Sequence, residues 1–125
     1  MKKIFFLLIA CMLILCGCSA EEHKAQLNDD GTLTVASAKE LIKEGAVLVD
    51  VRSKSEYNSG HIDGAKLLPV ESINVSNAKE VIVSKDTVVI VYCRSGARSA
   101  SAAKVLEGLG YTNVYNLGAM SNWEK

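Results

Sequence analysis

The sequence has few of the residues that build metal sites, disulfides or surfaces for polyanions. It contains four cysteines and two histidines, and neither histidine stands at metal-ligand spacing from cysteines or carboxylates. Lysine and arginine together number 14, aspartate and glutamate also number 14, and the formal net charge is zero. This composition predicts no bound metal and argues against a nucleic-acid-binding protein. The length of 125 residues predicts a single domain.

The N-terminal apolar segment is too short for an ordinary membrane span. Lys2 and Lys3 precede an uncharged apolar run of 13 residues at 4–16. The run ends in Leu-Cys-Gly-Cys at 15–18, which is typical of a cleavage region. This arrangement resembles the signal peptide of bacterial lipoproteins. The resemblance implies cleavage after residues 1–17, lipid on Cys18, and a membrane-anchored protein outside the cytoplasm. An uncleaved N-terminal anchor is the alternative.

Free thiols become scarce once residues 1–17 are removed. Cys11 and Cys16 leave with the signal peptide and Cys18 carries lipid, so Cys93 is the one thiol that remains. Extracytoplasmic proteins normally use cysteines in disulfide pairs, and a single thiol there indicates a function. Without a second thiol to resolve a disulfide, thioredoxin-type chemistry is excluded.

Arginine is also rare in this chain. There are three arginines, at positions 52, 94 and 98, against eleven lysines. Arg94 and Arg98 both lie within five residues of Cys93. The guanidinium group binds anions through two parallel hydrogen bonds, which lysine cannot do. The placement of these arginines predicts an anionic substrate at Cys93.

The sequence around Cys93 predicts a strand, a tight loop and a helix. Strand-forming residues at 88–92 precede the loop CRSGARS at 93–99, and an alanine-rich helical segment covers 99–109. Gly96 lets the backbone turn, and the N–H groups at the helix start favour a thiolate. We interpret Cys93 as a nucleophile. The alternative is a buried structural cysteine.

The remaining chain predicts a tether followed by an α/β domain. Residues 18–31 are polar and read as a tether to a folded domain at 32–125. Capping boxes that begin at Ser37 and Ser53 predict two helix starts. Apolar runs alternate with these helical segments and predict a mostly parallel sheet. The predicted strands cover residues 32–35, 46–51, 66–69, 88–92 and 113–116.

Three separated motifs resemble those of the single-domain rhodaneses, which are sulfurtransferases. They are LVDVRSKSEYNSGHIDGAKLLPV at 48–70, CRSGARS at 93–99, and Tyr-x-x-Val-Tyr-x-Leu-Gly at 111–118 with Trp123 after it. The resemblance covers about residues 32–125. It implies a three-layer α/β/α fold with a mostly parallel five-stranded sheet in the order 3-2-4-5-1. Lys66-Leu67 and Ala119 depart from the usual family residues.

The resemblance implies a sulfurtransferase that carries sulfur as a persulfide on Cys93. The donor would be a small sulfur-containing anion such as thiosulfate, the acceptor a thiol or cyanide, and no dissociable cofactor takes part. The implied substrate-binding residues are Arg94, Ser95, Gly96, Ala97 and Arg98. A persulfide carrier that serves a protein partner and a non-catalytic module are the alternatives. We expect a monomer.

Asp50 and Arg52 end a predicted strand near the loop. We expect them to brace the loop, and direct contact with substrate is the alternative. His61 is expected to pack and to bond nearby backbone, while Trp123 is expected in the core or in a lid.

The length of the loop bears on its substrate. Cys93 to Arg98 reads Cys-x4-Arg, which is one residue shorter than the Cys-x5-Arg loop of the related cell-cycle phosphatases. The shorter loop favours a sulfur atom or a small anion over a phosphoryl group.

Overall fold

The computed structural model describes residues 25–124. The predicted signal peptide at 1–17, the lipid-bearing Cys18 and the start of the predicted tether lie outside these residues and stay predictions. Across residues 25–124, no helix combines the length and the apolar character needed to cross a bilayer.

Helices and strands alternate along the described residues. The helices are α1 (Val35–Lys43), α2 (Lys54–Ser59), α3 (Val75–Val81) and α4 (Ala97–Gly108). The strands are β1 (Val47–Asp50), β2 (Lys66–Leu67), β3 (Val88–Cys93) and β4 (Asn113–Ala119). Two short 3-10 helices cover Val70–Ser72 and Met120–Glu124.

The strands form one parallel sheet in the order β2-β1-β3-β4. Its central strands are nearly all apolar and buried, as expected when both faces of a parallel sheet are covered. The register sets Asp50 of β1 opposite Tyr92 of β3. The carboxyl ends of these strands therefore bring Asp50 and Cys93 to one edge of the sheet, where open α/β sheets bind their ligands.

Two apolar layers sandwich the sheet, and this confirms the predicted three-layer α/β/α fold. On one face, Val49 and Val91 pack against α3 and α4. On the other face, Leu48 and Ile90 pack against α1 and against the loop that follows α2. Alternate residues of each strand point to opposite faces, so β1 and β3 contribute to both layers.

The prediction of a fifth strand at residues 32–35 is wrong. Among the described residues the sheet has four strands. Leu33 forms a single antiparallel bridge with Leu27 and donates its N–H to the Asn116 carbonyl at 2.7 Å. The segment cannot extend this pairing, because Thr34 already caps α1. The other strands keep the predicted relative order.

The predicted start of the first helix is also wrong, by several residues. Thr34 is extended, and its side chain accepts a hydrogen bond from the Ser37 N–H at 3.2 Å. Helix α1 therefore begins at Val35, ahead of the predicted box at Ser37. The second predicted capping box is confirmed, since Ser53 and Glu56 bond each other's backbone N–H at the start of α2.

The last residues of the predicted tether lie against the domain. Gln26 donates its N–H to the Ser37 hydroxyl at 2.9 Å and accepts the Thr34 N–H at 3.0 Å. Ala25 packs against the apolar layer that contains Leu33. Residues 25–31 are thus held to the start of α1.

Candidate active site

The loop around Cys93 connects the end of β3 with the start of α4. Cys93 is the last residue of β3 and is fully buried. Gly96 precedes the first turn of α4 with a φ of 102°, in the left-handed region that favours glycine. A Cβ atom on Gly96 would lie 3.6 Å from the Gly118 Cα. The loop therefore packs against β4 at Gly118.

Backbone and side-chain groups of this loop converge on the sulfur atom. The Cys93 Sγ accepts hydrogen bonds from the Gly96 N–H at 3.0 Å and the Ser99 N–H at 3.4 Å. It also lies 3.5 Å from the Ser99 Oγ, which in turn donates to the Gly96 carbonyl at 3.0 Å. The convergence of N–H groups predicted from the sequence is present, and its focus is Sγ.

These contacts lower the pKa of the Cys93 thiol. Burial is the largest single influence and raises the pKa, because it disfavours the charged thiolate. The Ser99 side chain and the N–H groups of Ser99, Gly96 and Ser95 act in the opposite direction and together outweigh burial. The loop thus stabilises a nucleophilic thiolate.

Arg98 is paired with Glu56 of α2. Its Nη1 and Nη2 atoms donate to the two Glu56 carboxylate oxygens at 2.7 Å and 3.1 Å. The hydrogen bond with Arg98 is the main reason why the pKa of Glu56 falls to about 2. The same bond raises the pKa of Arg98, to which the charge of Cys93 adds a smaller effect. This pair ties the end of the loop to α2, and donor binding by Arg98 stays a prediction.

The other loop residues predicted to bind substrate face solvent. Arg94, Ser95 and Ala97 are exposed. No hydrogen bond or ion pair with another residue between 25 and 124 engages the Arg94 side chain. Arg94 is therefore the loop cation that is available to an incoming anion.

Asp50 and Arg52 pair at the edge of the sheet, but their side-chain hydrogen bonds within residues 25–124 go to each other, Gly60 and Tyr92, so bracing of the Cys93 loop stays a prediction. Arg52 donates from Nε and Nη2 to the Asp50 carboxylate at 2.8–3.1 Å, and its Nη2 also reaches the Gly60 carbonyl at 2.5 Å. The Tyr92 hydroxyl donates to Asp50 at 2.8 Å and accepts the Ile62 N–H at 3.1 Å. The network joins β1, β3 and the loop after α2 beneath the site.

His61 and Trp123 are placed largely as the sequence predicts. The His61 ring stacks on Tyr57 with 3.7 Å between ring centroids, and its Nδ1 lies 2.8 Å from the Tyr57 carbonyl oxygen. Trp123 packs against the apolar layer that contains Leu33, with the Lys39 Nζ 5.2 Å from its ring centroid. Neither residue contacts Cys93. Among residues 25–124, no group of three or more His, Cys, Asp or Glu side chains could hold a metal ion.

Sequence reasoning missed the roles of Ser99, Glu56 and Tyr92. Ser99 closes the CRSGARS motif, and its place in the first helical turn was a usable signal for a contact with Cys93. Glu56 belongs to the predicted capping box that begins at Ser53, but its pairing with Arg98 joins residues 42 positions apart in the sequence. Tyr92 is polar within an apolar strand, which was a signal for a buried hydroxyl in need of partners.

Together, the parallel sheet and the sulfur-centred loop define an α/β domain built around one activated cysteine. The chain belongs to the rhodanese family, since the model of the rhodanese-like domain matches residues 34–125.

Several relatives of this chain are named as sulfurtransferases. The thiosulfate sulfurtransferase GlpE of Pseudomonas fluorescens is 38% identical over 87 residues, which cover 69% of this chain and 77% of that protein. The probable adenylyltransferase/sulfurtransferase MoeZ of Mycobacterium tuberculosis is 32% identical over 113 residues, which cover 88% of this chain. This match spans only 28% of the mycobacterial protein.

A solved structure shares the fold. The human single-domain sulfurtransferase TSTD1 superposes with a TM-score of 0.63 at 26% identity. The superposition covers 75% of this chain and 95% of the human chain.

Proposed function

We propose that this protein is a sulfurtransferase that moves sulfane sulfur from an anionic, thiosulfate-like donor to a thiophilic acceptor. The observation that carries the proposal is the Cys93 Sγ, which accepts N–H groups from Gly96 and Ser99 at 3.0 Å and 3.4 Å. These contacts stabilise a nucleophile and prepare the loop to hold negative charge. The sulfurtransferase names of the relatives support the same reaction class.

In the first step, the Cys93 thiolate attacks the outer sulfur of thiosulfate. A bond forms between Sγ and that sulfur, the sulfur–sulfur bond of thiosulfate breaks, and sulfite leaves with the bonding electron pair. Cys93 then carries a persulfide anion. Because Cys93 has no exposed surface, the loop residues that cover Sγ must shift before the donor reaches it, and a small anion requires the least movement.

In the second step, an acceptor nucleophile attacks the outer sulfur of the persulfide. The bond to Sγ breaks, its electron pair stays on Sγ, and the thiolate of Cys93 is restored. Cyanide would leave as thiocyanate, and a thiol would leave as its own persulfide. This is two-step covalent catalysis on one side chain, and no cofactor is needed.

Sulfur transfer fits the loop better than phosphoryl transfer. The segment from Cys93 to Arg98 has six residues, and its N–H groups converge on the sulfur atom itself. Arg98, which closes the segment, is bound to Glu56. We expect no hydrolysis of phosphate monoesters above the level of a Cys93→Ser variant, and clear hydrolysis by the wild type would contradict this assignment.

The direct test is the intact mass of the protein after incubation with thiosulfate and removal of the donor. We expect the described domain to gain one sulfur atom and to lose it on treatment with cyanide, with thiocyanate as the product. Cys93→Ser is the matched control and should gain none. If no sulfane donor adds sulfur to the wild type, the proposal is wrong. If sulfur loads only from a protein donor, the chain is a carrier for a protein partner.

For the full chain we further propose attachment to the outer side of a bacterial membrane through lipid on Cys18. The support is the sequence of residues 1–18, with two lysines, an apolar run and a cysteine after Gly17. The test is fractionation of cells that express the full chain or its Cys18→Ser variant. Wild type should remain with membranes and carry a mass increment on Cys18. Equal fractionation and an unmodified Cys18 would contradict the proposal.

A further inference from the structure

A groove of about 430 Å³ lies between α1 and the C-terminal 3-10 helix, and its lining contains none of residues 93–99. Its apolar lining comes from Ala36 and Ile42 of α1 and from Trp123. Charged side chains complete the lining: Lys39, Glu40, Lys43 and Asp63. Helix α1 packs on one face of the sheet and α4 on the other, so this groove and the helix that follows the Cys93 loop lie on opposite faces.

The charged rim of the groove is balanced. The Lys43 Nζ lies 3.3 Å from a Glu40 carboxylate oxygen on the same helix, and both side chains are exposed. The Lys39 Nζ lies 5.2 Å from the centroid of the Trp123 ring. Asp63 is exposed on the loop that follows α2. Two cations and two carboxylates around an apolar lining suit a partner that carries both signs of charge beside apolar groups, and they do not suit a polyanion.

The first described residues of the chain lie beside this groove. Ala25 packs against the same apolar layer as Trp123. Gln26 donates its N–H to the hydroxyl of Ser37, the residue after Ala36 in α1, at 2.9 Å. The chain that precedes Ala25 therefore joins the domain at the face that carries the groove.

The proposed lipid on Cys18 leaves little chain between the membrane and the domain. Cys18 and Ala25 are seven positions apart, and a fully extended chain of that length spans at most about 25 Å. A folded domain of about 100 residues has a radius of gyration of about 13 Å and is therefore wider than this tether is long. The face on which Ala25 lies is thus the face held nearest to the bilayer.

We infer that the groove between α1 and Trp123 docks on the zwitterionic headgroup region of the bilayer and fixes the orientation of the domain. The inference rests on the proposed lipid anchor. Trp123 lies at the level of the headgroups, because its ring combines an apolar body with a polar N–H. Lys39 and Lys43 extend their ammonium groups to lipid phosphates, while their carbon chains cover the apolar lining. Weak contacts suffice, since the anchor keeps the effective concentration of lipid at this face high.

The test uses Trp123 as its own reporter, because the chain contains a single tryptophan. The full chain with its anchor is reconstituted into phosphatidylcholine vesicles whose acyl chains carry bromine, a contact quencher, either near the headgroup or near the chain end. The readout is the emission relative to unbrominated vesicles within each variant, so that changes in intrinsic fluorescence cancel. We expect a loss of emission that is larger with bromine near the headgroup, since a face docked at the interface enters only about 5–10 Å.

Ala36→Glu places a carboxylate in the apolar lining at an exposed position in the first turn of α1, where a negative charge suits the helix. Because transfer of this carboxylate into the interface is costly, the variant should recover most of the lost emission. Ala100→Glu is the matched control, with the same substitution at an exposed position in the first turn of α4. It should be quenched like the wild type. Equal quenching in the two variants would overturn the inference.

Fractionation measures the anchor and quenching measures the face, so their failures are distinguishable. A chain that does not reach membranes would contradict the anchor and this inference together, whereas an anchored chain with unquenched Trp123 would overturn the inference alone. If residues 1–17 stay attached as an uncleaved anchor, the tether has the same reach and the same quenching is expected. An emission maximum that shifts with protein density in unbrominated vesicles would place a second copy of the chain in the groove and would also overturn the inference. Sulfur loading on Cys93 is independent of all these outcomes.

Discussion

Ser99 contacts the sulfur of Cys93 with both its backbone and its side chain. The Ser99 N–H donates to Sγ at 3.4 Å, and the Ser99 Oγ lies 3.5 Å from the same atom. Both residues are buried, so these contacts act where water screens them little. The contact between the end of β3 and the first turn of α4 therefore favours the thiolate form of Cys93.

We predict that Ser99→Ala raises the pKa of Cys93. The side-chain bond with Ser99 is the largest of the contacts that lower this pKa. Because a hydrogen bond to a charged group contributes about 1.5–3 kcal/mol, alkylation by iodoacetamide near pH 6.5 should slow by roughly ten-fold. The measurement is the alkylation rate as a function of pH. Ser101→Ala, at an exposed position of the same helix, is the control. A profile that coincides with the wild type would show that the hydroxyl does not act on Sγ.

Gly96 should tolerate a side chain far less well than its neighbour Ala97. Its φ of 102° is costly for a β-branched residue, and its N–H is one of the donors to Sγ. Ala97 is exposed at the first position of α4. We expect Gly96→Val to lower the thermal unfolding midpoint and the rate of persulfide formation, with Ala97→Val close to wild type in both. Equal losses in the two variants would place the critical turn elsewhere.

The pair formed by Glu56 and Arg98 should make stability depend on acidity. The pKa of Glu56 is lowered from 4.5 to about 2 in the folded protein, so the unfolded chain binds a proton first as the pH falls. The contribution of Glu56 is therefore complete above about pH 4.5 and is lost progressively between pH 4.5 and pH 2. Glu56 is partly exposed, and screening keeps the effect modest.

The measurement is urea unfolding of wild type and Glu56→Gln at pH 6 and at pH 3. We expect wild type to be more stable at pH 6 and the difference to shrink at pH 3. Glu80→Gln, at an exposed position of α3, is the control and should show no such convergence. A gap that stays constant with pH would mean that the charge of Glu56 does not contribute to stability.

Tyr92→Phe should destabilise the fold beneath the site. The hydroxyl donates to Asp50 and accepts from the Ile62 N–H, and removing it leaves both groups short of a partner in a buried place. We expect a loss of about 1–3 kcal/mol in the free energy of unfolding. Tyr115→Phe is the control, because the Tyr115 hydroxyl has no hydrogen bond within residues 25–124. The two variants should differ clearly in urea midpoint, and matching midpoints would argue against the network.

Local patterns in the sequence predicted the parts of the site that lie close together in the chain. A run of strand formers, Gly96 and an alanine-rich segment were enough to place Cys93 between β3 and α4, because each depends on short-range backbone preferences. The capping box at Ser53 was predictable for the same reason. The pairing of Asp50 with Arg52 was predictable because both residues stand at one strand end.

Contacts between distant segments were not predictable in the same way. Nothing near Arg98 in the sequence shows that Glu56, on a helix two crossovers earlier, occupies its guanidinium group. The prediction of a fifth strand was wrong because Thr34 caps α1 and does not continue a strand. The strand propensity of residues 32–35 could not predict this cap, because the cap depends on the position of the Ser37 N–H in the folded chain.

The complete burial of Cys93 has a consequence for how a sulfur atom would be carried. An atom bonded to Sγ would lie one bond farther from the backbone than Sγ, which the Gly96 and Ser99 N–H groups surround. An incoming molecule would then contact the transferred sulfur first, while the Cys93 Sγ stays buried. Oxidation would then fall on a replaceable atom, and a thiol could remove it and leave the cysteine intact.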